Sequence, residues 1–183
     1  MLTALALLAP AVHAAEKMAR YSNAEFGFSL QYPASWKFAH TEVRNMRVRI
    51  VAPEFGPGGE CSVIVKQYPH AAKAKQAEID AIFQEMPTKE ELQEVLSQGG
   101  AKVTVAKAST GKLDTRPAHV ARYRLSLGFD QSISGLVAMT ATPGLTWSVS
   151  CSGRGENADK AEQNFQYWQK NLEAVLASFR FSK

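Results

Sequence analysis

What this chain has little of narrows its chemistry first. Only 2 cysteines occur in 183 residues, and they form no C-x-x-C pair. That spacing excludes the common zinc-ribbon and thioredoxin-type redox arrangements. There are 4 histidines, none in an H-E-x-x-H pattern or at ligand spacing from a cysteine. No G-x-S-x-G elbow appears, and the glycines at 56–59 lack the Lys-Ser/Thr of a phosphate cradle. No apolar run approaches the roughly 20 residues needed to span a bilayer. Charge is nearly balanced, 21 basic against 17 acidic residues, and no basic-aromatic interleaving points to nucleic acid. No cofactor, metal or nucleic acid is expected, and no catalytic set is legible.

The first residues read as an export signal rather than as structure. Leu5 to Ala9 form a short apolar run, Pro10 breaks it, and Val12-His13-Ala14 offers small residues to signal peptidase. Residues 1–14 are therefore expected as a signal peptide cut between Ala14 and Ala15, with 15–24 a short mature tail. No Lys or Arg precedes the run, and a start chosen too far downstream would account for that. The alternative is a buried N-terminal helix. No cysteine stands at the cleavage point to carry a lipid.

In an exported chain Cys61 and Cys151 are expected to pair. Each lies in a strand-like run, beside Ser62–Val65 and Trp147–Ser150. Closing a loop of about 90 residues stabilises a fold by roughly 4 kcal/mol in the chain-entropy picture. Two buried thiols are the alternative.

Periodicity supplies the architecture. Phe26 to Tyr32 alternates large apolar with small or polar groups, and Pro33-Ala-Ser-Trp36 follows as a turn. Strand patterns recur at 48–52, 61–68, 103–107, 119–129, 132–142 and 145–151. The last group reads as an antiparallel meander joined by short turns. Val48 and Ile50 alternate with Arg47 and Arg49, whose face is expected in water. Between the strand groups, Ile79, Ile82, Phe83 and Met86 share a helical face. Pro87 interrupts, Thr88-Lys-Glu-Glu91 forms a capping box, and Gly99-Gly100 is expected to end the stripe of Leu92, Val95 and Leu96. The chain closes on an amphipathic helix through Phe165, Trp168, Leu172, Val175 and Phe179, with Asp159 and Glu162 as its N-terminal capping pair. Strands, a helical insert, a meander and a terminal helix give α+β, an antiparallel β-sheet covered by helices in one domain, 25–183. Trp36, Trp147 and Trp168 belong to its core rather than to a pocket. His40, His70 and His119 are surface or strand-end residues, and the carboxylates at 85, 90, 91 and 94 a solvated helical face.

Three stretches carry a resemblance: Phe26-Gly-Phe-Ser-Leu-Gln-Tyr-Pro-Ala-Ser-Trp36, Leu113-Asp-Thr-Arg-Pro-Ala118, and Leu176-Ala-Ser-Phe-Arg-Phe181. With these the chain resembles the PsbP/DcrB-like group of the Mog–PsbP α/β/α sandwich fold. The second stretch departs from the group's pattern, placing Thr115-Arg116 where a glycine is common. The resemblance implies a non-enzymatic, exported accessory or binding module of the bacterial cell envelope, periplasmic or secreted and monomeric. Its partner would be an envelope protein or a small ligand. The photosystem member's role does not transfer, because its functional residues have no motif here. Two rival readings stand beside it: a small-molecule or ion-binding periplasmic protein with a pocket between sheet and helices, and a small hydrolase built on one of the histidines.

Overall fold

The computed structural model describes residues 16–97, 102–128 and 130–182. The export signal, its Ala14–Ala15 cleavage point and the Gly99-Gly100 helix stop lie outside the described residues. Ten strands and three α-helices run β1 (Met18–Asn23), β2 (Phe28–Pro33), β3 (Lys37–Phe38), β4 (Met46–Val51), β5 (Gly58–Gln67), α1 (Gln76–Gln84), α2 (Lys89–Ser97), β6 (Lys102–Leu113), β7 (Arg116–Gly128), β8 (Gln131–Thr142), β9 (Leu145–Gly155), α3 (Ala158–Ser178) and β10 (Arg180–Phe181). The strands make a 7-stranded sheet, β3-β4-β5-β9-β8-β7-β6, and a 3-stranded sheet, β1-β2-β10. All pairings are antiparallel. The expected α+β architecture stands, with two sheets in place of one.

The stretch expected as a mature tail is a correction. Met18–Asn23 pairs with β2 in continuous register from Met18↔Pro33 to Asn23↔Phe28. Tyr21 lies 5.9 Å from Phe28 between ring centroids, so this strand joins the core's rim.

Strand alternation decides what faces what. On β5, Cys61, Val63 and Val65 are buried on one face and Ser62, Ile64 and Lys66 stand on the other. α3 lies along the first face. Phe165, Leu172 and Val175 are buried there and continue into Phe179, which stacks on Phe28 at 5.6 Å. Each such side chain contributes roughly 1.5–3 kcal/mol of burial. The helix begins this close because β9 offers no side chain beneath its first turns, at Gly153 and Gly155. A Cβ on Gly153 would overlap the backbone nitrogen of Phe165, and one on Gly155 would stand 2.5 Å from that of Ala161. α3 is capped by Asn157, whose side-chain oxygen accepts the Lys160 N–H at 2.8 Å. The expected Asp159/Glu162 cap is therefore corrected: Glu162 turns inward to Arg122.

α1 and α2 cover the opposite face, over β6, β7 and β8. Leu92 meets Val103, Val105, Ala121, Tyr123, Ile133 and Val137 in a second, smaller core. The insert is two helices parted at Pro87, and the Thr88/Glu91 capping box forms in both directions, at 2.9 and 3.1 Å. The β6–β7 turn meets its need for positive φ at Asp114 (φ 56°) instead of a glycine. Its carboxylate accepts the Phe181 N–H at 3.2 Å, tying β10 to the large sheet.

Candidate functional site

α1 and α2 roof only part of their face of the sheet. Where the roof stops, a cleft of about 560 Å³ opens between the helical pair and β5, β9 and β8. Ile64 and Met139 rise from its floor, Phe83 from α1, and Leu92 and Leu96 from α2. Its mouth is bordered by Ile82 and Val95, which are 60% and 48% exposed. Phe38, Val43, Phe55 and Tyr167 are as exposed elsewhere; what distinguishes Ile82 and Val95 is their place beside a concavity, as at binding sites.

The polar groups of the cleft are Lys66, Gln67 and Tyr68 at the β5 end, Thr140, Thr146 and Ser148 along the sheet, and His119. His119 sits under α1 with its ring 4.8 Å from that of Phe83. Its Nε2 donates to the Glu85 carbonyl at 3.1 Å, which fixes the proton on that nitrogen because a carbonyl only accepts. No Asp or Glu lines the cleft among the described residues.

Two polar networks flank the sheet. At the far edge Glu60 accepts from Arg49 at 2.7 Å and Arg154 at 3.1 Å. The Arg47/Arg49 face is thus corrected from solvated to engaged, with the Arg47 guanidinium also 4.0 Å from the Phe26 ring centre. On the α3 side, Arg122 holds both oxygens of Glu162 at 2.9 Å and lies 3.7 Å from the Phe165 ring centre. Partial burial raises the Glu162 carboxyl, but the Ser134 hydroxyl and Arg122 outweigh it, and the group ends below its ordinary value. Burial pushes the Tyr123 phenol up, against a hydrogen bond from Ser150.

The expected sites fall as follows. Cys61 and Cys151 are directly opposite on β5 and β9, with Cα atoms 4.1 Å apart, and form a disulfide. Trp36 and Trp147 are buried in the α3-side core, although Trp147 also borders the cleft's end. Trp168 is half-buried and donates its indole N–H to the Pro57 carbonyl at 2.6 Å. His40 is exposed, and the His70 ring lies 6.1 Å from that of Tyr68. Among the described residues no histidine hydrogen-bonds a hydroxyl or carboxylate side chain, and no group of three His, Cys, Asp or Glu gathers at metal distance. No described helix is long and apolar enough to cross a membrane. The residues that border the cleft were not anticipated. Ile82 and Val95 fit the same helical stripe as truly buried neighbours, so periodicity assigns them to the core.

No protein-family model matches the chain, and no curated protein matches it by sequence. Solved structures do match. The chain is similar to the cyanobacterial PsbP (CyanoP) of Synechocystis sp. PCC 6803, with a TM-score of 0.58 and 17% identity over 96% of this chain and 98% of that one. The Saccharomyces cerevisiae Ran-binding protein Mog1p gives 0.52 and 7% over 91% and 96%. LpqN, involved in cell envelope biogenesis of Mycobacterium tuberculosis, gives 0.51 and 9% over 91% of each chain. The fold is therefore that of PsbP and Mog1.

Proposed function

We propose that this PsbP/Mog1-fold chain is an exported, non-catalytic binding module of the bacterial cell envelope, and that it binds through the cleft under α1 and α2. The observation that carries the reading is the three-walled apolar cleft with exposed Ile82 and Val95 at its mouth. A disulfide between Cys61 and Cys151 suits an oxidising compartment, which supports export. The signal-like residues 1–14 point the same way. LpqN, of the same fold, is involved in envelope biogenesis, and Mog1p binds Ran; both are compatible with a binding role.

The test places a photo-crosslinking residue at Val95 and, as a control, at Lys160 on the far side of the sheet. A species captured from the envelope at position 95, absent at 160 and lost on Ile82→Asp, is the expected result. Identical capture at both positions would remove the cleft from the proposal. A second reading, a small-molecule carrier, is favoured by the cleft's volume, which lies within the roughly 300–1,000 Å³ of small-ligand pockets.

A further inference from the structure

We infer that the cleft takes a single-chain anionic amphiphile, its acyl chain between Ile64, Leu96 and Phe83 and its acidic head at Lys66. The inference rests on the cleft being the binding site and names the class of ligand.

Hydrogen bonding excludes an extended peptide first. The floor strands β5, β9 and β8 are each paired on both sides, so none has a free ladder edge. A peptide lying on them would bury its own N–H and C=O groups without partners, at a cost of a few kcal/mol each. A hydrocarbon chain carries no such groups. A helix, by its volume, would have to lie largely outside the cleft. One helical turn about 10 Å across and 5.4 Å long fills roughly 420 Å³. The cleft, at about 560 Å³, has room for barely more than one turn. That volume lies within the roughly 300–1,000 Å³ of pockets that take one small ligand.

Charge sets the head. Lys66 is the lining's only permanently charged side chain among the described residues, and it is exposed at the β5 end of the cleft. The helical pair is acidic, with carboxylates at 78, 80, 85, 90, 91 and 94 against Lys89, yet none of these lines the cleft. A cationic head would find no partner within, while a carboxylate would find Lys66 with Tyr68 beside it.

The experiment titrates purified chain, preloaded with the neutral dye Nile red, with dodecanoate and separately with 1-dodecanol. It repeats both on Lys66→Glu, Val95→Trp and Lys160→Glu. Dodecanoate is expected to displace the dye at least tenfold more tightly than dodecanol. Lys66→Glu should remove that advantage and leave dodecanol unchanged. Val95→Trp should weaken both by obstructing the mouth, and Lys160→Glu neither. Equal binding of acid and alcohol would overturn the anionic head. Failure of both to bind would overturn the acyl ligand altogether, while the position-95 crosslink would still stand if the cleft serves another ligand. Loss of that crosslink specificity as well would remove the site.

Discussion

Glu162 shows how far a single side chain can be read. Its position three residues after Asp159 fits a helix cap, and only the fold reveals that Arg122, 40 residues earlier, and Ser134 claim it. Because its carboxyl is held below the ordinary range, the folded state binds that proton less readily than the unfolded chain. The stabilisation is therefore full above the unfolded carboxylate value of about 4 and fades as pH falls through the lower, folded one. Glu162→Gln is expected to cost about 1 kcal/mol at pH 7, a modest figure because the pair is partly solvated. The gap from the unmodified chain should narrow steadily as pH falls below about 4, as followed by urea unfolding at each pH. The cysteines were legible for a better reason. An export-like start and an even pair of cysteines, each inside a strand run, pointed to a bridge, and the register of β5 and β9 sets them opposite each other. Replacing both by alanine is expected to lower stability by about 2–4 kcal/mol, measured by urea unfolding.

Among the elements, the long patterns were the readable ones. α3 and the β7–β8–β9 meander follow from periodicity, since each buries a continuous stripe. The capping box fixed the start of α2, and Thr88→Ala is expected to cost about 1 kcal/mol by thermal or urea denaturation. β1 escaped because Met18-Ala-Arg-Tyr-Ser-Asn23 alternates weakly and gains its order from β2 rather than from its own residues. Glycine in β9 was equally silent. Nothing local says that Gly153 lies beneath Phe165, yet Gly153→Ala is expected to destabilise by about 1–3 kcal/mol or more by forcing α3 off the sheet. Loss of the helix-on-sheet near-ultraviolet signal from the tryptophans would report it.

At the level of the whole molecule, one face of the sheet is sealed and the other is half-roofed. The sealed face holds the aromatic cluster of Phe28, Trp147, Phe179 and Phe181. Phe165→Ala there is expected to cost about 3–5 kcal/mol of global stability, while Val95→Asp at the cleft mouth should cost far less and act on binding instead. Comparing urea midpoints with dye binding separates the two. The architecture was legible because segregated strands and helices leave few ways to bury their apolar faces. The lining of the cleft was not, because hydrophobic patterning says that a side chain leaves water without saying whether a neighbour or a ligand receives it.

The roof is also anchored at a definite point. The β8–β9 hairpin reaches back to the segment before α1, with Gly144 N–H donating to the Ala71 carbonyl at 3.1 Å and Tyr68 N–H to that of Gly144 at 2.7 Å. A guest pressing α1 and α2 apart would thus pivot them about this staple rather than translate them. Movement would be least beside Tyr68 and at Glu85, whose carbonyl His119 holds at 3.1 Å, and greatest at the cleft mouth beside Val95. A spin label there would feel the guest's arrival before any probe in the sealed half of the molecule.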